Sequence, residues 1–335
     1  MAGPRVHNDR NWLATTPFVA VLATLQLSVV WAASPNYAAS YYTGTQTESP
    51  KIVVFPTGAA PITIELPLQF RAVRFAPDGR AFYGITLETK KPIPPQTIPG
   101  LEPPRLNRID LNPVRISSML SLSRFDSVYS FAVSPQEDKL IFSGGMRSGP
   151  INGYSLFELS LATGDVRMLA EGPGFAEVSL SPDGGKVLVR HQGRLELIDI
   201  VRRTTNMLGG NFWLGAWSPD GKWIAALGNG PHGRSSTFLI DANDISRQRD
   251  MGGKGDTEVV WSPDSRYLLY SEPQRRCPES RGVTLVEMDI ESGKRSDVAS
   301  SVCKVSGYRK IGWITIDALG LKDPWKANEH SPRGR

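Results

Sequence analysis

The stretch Gly228-Asn229-Gly230-Pro231-His232-Gly233 has the G-x-G-x-x-G spacing with which a strand-to-helix turn cradles a pyrophosphate. That chemistry needs a helix N-terminus directly after the glycines. Here Pro231 intervenes and the apolar run STFLI follows, which predicts a hairpin loop instead. No G-x-S-x-G elbow occurs, so serine hydrolases built on it are excluded. Of the four histidines, at 7, 191, 232 and 330, the loop residues His191 and His232 have no second ligand at i+2 to i+4; no metal or other cofactor is expected, and both read as polar loop residues. Asp78, Asp183, Asp220 and Asp264 offer carboxylates for calcium, but none lies in a D-x-[DN]-x-[DN]-G loop, and their regular recurrence makes them turn residues. Cys277 and Cys303 stand 26 residues apart. In an oxidising compartment they are expected to form a disulfide worth about 3 kcal/mol by loop closure, the alternative being free thiols or a cysteine on a partner.

What would position any such residues is an internal repeat. Five segments match one another: VRFAPDGRAFYG, FAVSPQEDKLIFS, VSLSPDGGKVLV, GAWSPDGKWIAA and VVWSPDSRYLLY. Their prolines, Pro77, Pro135, Pro182, Pro219 and Pro263, are spaced 58, 47, 37 and 44 residues apart. Each unit reads as strand, tight turn, strand: Pro presets φ, Asp accepts from the backbone just beyond it, and Gly supplies φ > 0. Gln136-Glu137-Asp138 and Asp264-Ser265 depart from this chemistry and predict looser turns. Second hairpins follow at LSLATGDVRML and MDIESGKRSDV, with weaker versions in the other units. Four strands per unit at this period describe a propeller blade.

The hairpin VVFPTGAAPITI has no Pro-Asp unit before it, and GYRKIGWITI has no second hairpin after it. Joined, they make a composite sixth blade that closes the ring without a free edge. Its second strand is the weak point, ALGLKDPW being a poor candidate. The expected fold is all-β: a six-bladed β-propeller over residues 50–317, with a polar tail over 318–335. The repeats resemble the WD40-like Pro-Asp repeats of the TolB family of periplasmic β-propellers. The resemblance implies export and a binding role. The chain has no room for the small α/β domain that precedes the TolB propeller. Prolyl oligopeptidase propellers use similar repeats with a hydrolase domain attached, also without counterpart here.

The composition agrees: 32 Gly and 26 Pro punctuate many short strands, and a net charge of +5 makes no case for nucleic acid. Arg5 and Arg10 precede an uncharged stretch from Trp12 to Ala33 that ends in Val30-Trp31-Ala32, a signal-peptidase pattern. Residues 1–32 are read as a signal peptide, the alternative being an uncleaved anchor that holds the propeller outside the cytoplasm at the inner membrane. The body is thus expected to be periplasmic or secreted, and monomeric. Residues 33–49, small and polar without periodicity, read as a flexible linker.

In this fold the Pro-Asp turns share one end of the ring, and the loops entering each first strand surround the opposite channel mouth. Candidate partner-binding residues at that mouth are Arg71, Tyr129, Glu177, Trp213, Glu258 and Arg309, with basic loops carrying Arg147, Arg234, Arg275 and Arg276. The excess of cations in these loops points to a protein partner or an anionic small ligand. The proline-rich loop KPIPPQTIPGLEPP accounts for the 58-residue spacing. The function expected is a non-catalytic binding module of the bacterial cell envelope, without catalytic residues. The alternative is a propeller enzyme, a metal-assisted hydrolase or lyase, with Glu177, Asp256 and Glu258 as the acids of the central channel; a third reading is an anchored structural envelope protein.

Overall fold

The computed structural model describes residues 37–43, 49–57, 59–70, 72–86, 104–146, 154–172, 174–209, 211–230, 233–253, 258–274, 282–302 and 310–320. They form six four-stranded antiparallel sheets. Blade 1 comprises β4 (Ala72–Phe75), β5 (Ala81–Thr86), β6 (Arg105–Leu111) and β7 (Val114–Ser121). Blade 2 comprises β8 (Phe125–Val133), β9 (Lys139–Met146), β10 (Ser155–Ser160) and β11 (Val166–Ala170). Blade 3 comprises β12 (Ala176–Leu180), β13 (Lys186–His191), β14 (Arg194–Asp199) and β15 (Thr204–Met207). Blade 4 comprises β16 (Phe212–Trp217), β17 (Trp223–Asn229), β18 (Ser235–Asp241) and β19 (Gln248–Gly252). Blade 5 comprises β20 (Val259–Trp261), β21 (Tyr267–Gln274), β22 (Gly282–Asp289) and β23 (Arg295–Val302). Blade 6 is composite, ordered β24 (Lys310–Thr315), β1 (Tyr37–Thr43), β2 (Lys51–Phe55), β3 (Ile62–Glu65). The innermost strands β4, β8, β12, β16, β20 and β24 touch in succession, and β24 returns to β4. The six-bladed propeller is therefore closed.

β1 supplies the strand that the sequence reading lacked and corrects the linker assignment: Tyr37–Thr43 is structured, and ALGLKDPW is not the second strand. Ala318 and Leu319 of that segment belong to a short 3-10 helix, Asp317–Leu319. A second strand is covered on both faces by neighbouring blades and on both edges by its own sheet. β5 is buried at every position, and β1 at all but one. Such a strand has no polar face, so no alternation marks it. YAASYYT meets the requirement with small and aromatic side chains. Outer strands behave oppositely; β15 is exposed at every position.

The core is distributed. Six apolar clusters fill the six clefts between adjacent blades, for example Tyr83 and Ile85 of blade 1 against Phe131 and Phe142 of blade 2. Close approach needs small residues at chosen points. A Cβ on Gly312 of β24 would stand 2.1 Å from the Phe75 ring of blade 1.

The Pro-Asp turns repeat one hydrogen-bond scheme. Ser181, Ser218 and Ser262 hydroxyls donate to Asp183, Asp220 and Asp264 at 2.5–2.6 Å, and accept the N–H of the residue that begins the next strand. The Ser181 hydroxyl and the Gly185 N–H hold the Asp183 carboxyl below its ordinary value. The two turns expected to be looser are not. Glu137 and Ser265 adopt φ of 54° and 61°, close to the 69° of Gly79 and Gly184, and their N–H groups close the same bond at 2.9 Å. The surrounding strands impose the left-handed position on residues that do not favour it.

Candidate functional site

Along each innermost strand, alternate residues look into the channel or toward the next blade. Five positions before the turn proline stand Ala72, Ser130, Glu177, Leu214 and Glu258, with Lys310 in register on β24. Three positions before it stand Arg74, Ala132, Ser179, Ala216 and Val260, with Gly312 on β24. The charged members of these two layers meet in the channel. Arg74 lies 3.5 Å from Glu177 and 3.3 Å from Glu258; Lys310 lies 3.5 Å from Glu177 and 3.2 Å from Glu258. The four side chains form a closed ring of alternating sign, drawn from blades 1, 3, 6 and 5.

Blade 2 joins through its backbone and a hydroxyl. Arg74 Nε donates to the Phe131 carbonyl at 3.0 Å and Nη2 to Ser130 Oγ at 2.9 Å. Ser130 Oγ also accepts the Val178 N–H of blade 3, and Glu258 Oε2 accepts the Ile311 N–H of blade 6, each at 2.9 Å. Burial raises the Glu177 carboxyl, but Lys310, Arg74 and Arg190 outweigh it and hold the group below its ordinary value. Glu177 itself sits at φ 52°, inside a register shift between Ala176 and Ser179. The bulge turns its carboxylate toward the ring at the cost of a left-handed backbone.

Below the ring lies a cavity of about 820 Å³, bordered by Arg74, Glu177, Glu258 and Lys310 at one end and by Pro77, Pro135, Pro182, Pro219 and Pro263 at the other. Its width follows from the layer three positions before the prolines, where Ala132, Ser179, Ala216 and Gly312 leave the axis open. The enclosed volume is thus on the Pro-Asp turn side, opposite the mouth singled out from the sequence. Asp78, Arg80 and Glu137 stand at its turn-side rim. Glu137 pairs with Arg108, and burial followed by Glu137 raises the nearby Tyr83 phenol.

Among the sequence candidates, Glu177 and Glu258 are brought together. Their cationic partners, Arg74 and Lys310, were not singled out as their counter-ions. Aligning the repeats by the two layers exposes them, since apart from Glu177 and Glu258 the other positions carry Ala, Ser, Leu, Val or Gly. Tyr129 is 44% exposed, its ring 4.0 Å from that of Tyr154 and the two hydroxyls 2.5 Å apart. Trp213 is half-buried against the blade 4 and blade 5 cluster, and Arg234 is exposed. Arg71, Arg309, Arg147, Arg275, Arg276, Asp256, His232 and the pair Cys277 and Cys303 lie outside the described residues, as do residues 1–32. His191 differs from its loop reading. It ends β13, stacks on Phe175 at 4.2 Å, and places Nδ1 3.0 Å from Glu196. Among the described residues no group of three or more His, Cys, Asp or Glu is placed to hold a metal ion.

No protein-family model matches the chain, and no curated protein matches it in sequence. Its fold matches solved structures. TolB from Acinetobacter baumannii superposes with a TM-score of 0.60 over 83% of this chain and 66% of that one, at 17% identity. A TolB candidate from Agrobacterium tumefaciens gives 0.57 over 84% and 98%, at 14% identity. Puromycin hydrolase gives 0.50 over 81% of this chain and 46% of its own length, at 16% identity. At these identities the likeness carries the fold alone: the chain is a six-bladed propeller of the kind seen in TolB propeller domains.

Proposed function

We propose that this protein is an exported, non-catalytic binding module of the bacterial cell envelope that holds its partner or ligand at the central channel. One observation carries the reading. The two carboxylates of the channel ring, Glu177 and Glu258, are each engaged by two cations, and Glu177 is held in its ionised form. A general acid needs a carboxyl kept protonated near neutral pH, whereas Glu177 is held ionised. The ring provides charge recognition instead, over a cavity within the usual size range of ligand pockets. Export is supported by the uncharged stretch behind Arg5 and Arg10.

The test is to tag the protein at its C-terminus, crosslink it in intact cells, and identify what co-purifies by mass spectrometry. A stoichiometric partner from the envelope, lost in Arg71→Glu/Arg309→Glu or in Glu258→Lys, supports the reading. Substrate turnover by the purified protein, abolished by Glu258→Ala, overturns it in favour of a channel enzyme.

A further inference from the structure

We propose that the cavity takes a compact zwitterion of the α-amino acid type, with ammonium and carboxylate on one carbon, and that the ring of Arg74, Glu177, Lys310 and Glu258 reads both charges. This rests on the channel-binding reading and adds the ligand class. The ring has no net charge, so a lone anion drawn to Arg74 and Lys310 meets Glu177 and Glu258 at the same range. A lone cation meets the reverse. The attractions and repulsions then largely cancel.

A ligand bearing both charges escapes that cancellation if their spacing matches one edge of the ring. The four edges measure 3.2–3.5 Å. In an α-amino acid the nitrogen and a carboxylate oxygen are roughly 3 Å apart, from the standard bond lengths. The edges are also longer than the ~2.8 Å of a fully formed charge-assisted hydrogen bond, so the ring leaves bonding capacity for a guest. That capacity faces the cavity. All four residues border it and keep 12–29% of their side chains exposed. Ala132, Ala216 and Gly312, in the layer of Arg74 and below the other three, leave room for the ligand's side chain.

The experiment is calorimetric titration of the wild-type protein with leucine, phenylalanine, lysine and glutamate. Each is compared with its N-acetyl derivative, which lacks the positive group, and its amide, which lacks the negative one. At least one parent amino acid is expected to bind about tenfold more tightly than both derivatives. Glu177→Gln should erase the advantage over the N-acetyl derivative, and Lys310→Met the advantage over the amide. The proposal is overturned if the derivatives bind as well as their parents. It is equally overturned if no parent binds up to about 10 mM by protein that melts cooperatively. Because the derivative series uses wild-type protein, it decides the matter even if a variant fails to fold.

A third arm separates the two readings. Ala132→Phe fills the cavity. If no amino acid binds but this variant loses its crosslinked partner, the zwitterion is wrong and the channel reading stands. If partner capture is unchanged in folded Ala132→Phe and also in Arg71→Glu/Arg309→Glu and Glu258→Lys, the channel reading itself falls.

Discussion

Arg74 spends its donors on blades 2, 3 and 5 at once, which no lysine could do from the same position. Replacing it with Met leaves Lys310 as the one cation of the ring shared by the two carboxylates, and should cost about 2–3 kcal/mol in urea denaturation at pH 7. The carboxylates make the pH dependence specific. The Glu177 carboxyl is lowered from 4.5 in the folded state, so its contribution is present above the unfolded value and lost as pH falls through the folded one. The destabilisation of Glu177→Gln should therefore shrink on going from pH 7 to pH 3. Glu287 on β22 has the opposite sign. Burial, with Asp264 and Asp289 nearby, pushes its carboxyl from 4.5 up to about 7. The folded state then binds the proton more tightly than the unfolded chain, and stability falls as pH rises from 4.5 to about 7. Glu287→Gln should stabilise by roughly 1–2 kcal/mol at pH 8 and have little effect at pH 4, read as melting temperature against pH.

At the scale of the strand and turn, local rules and the assembled ring conflict at identifiable points. The two-residue hairpin between β13 and β14 holds Gln192 at φ 47° and Gly193 at φ 80°. Such turns favour Asn at the first position, so Gln192→Asn should raise stability by about 0.5 kcal/mol in a chemical melt. Gly312→Ala should do the reverse, by about 2 kcal/mol or more, because blade 1 cannot withdraw the Phe75 ring without opening its own packing. Legibility from sequence divides along the same line. The Pro-Asp hairpins could be read because their turn chemistry is local and repeated. β1 could not, since its inner sheet partner, β24, lies far along the chain and a strand buried on both faces carries no alternation. Glu177 and Glu258 were readable as residues near the channel. Their pairing with Arg74 and Lys310 was not, because it crosses the axis between blades whose sequences say nothing of one another's angle.

The whole molecule depends on one seam. Ser40 Oγ donates to the Gly312 carbonyl at 2.9 Å across 272 positions of sequence, and six residues of β1 pair with β24. A chain starting at Ser49, tolerable if residues 33–49 were only a linker, leaves the facing edges of β2 and β24 unpaired. It should show no cooperative melt by circular dichroism, whereas a chain starting at Ser34 should melt as the longer one does.

The direction of that seam has a mechanical consequence. Tyr37 and Thr315 face each other on its first rung, and the chain leaves the sheet at both. A load drawn between the two ends therefore pulls across the strands and breaks their hydrogen bonds singly, rung after rung, where shear along the strands would engage them together. Six packed clefts hold the propeller together, but under tension it is expected to open like a zip, beginning where β1 and β24 meet.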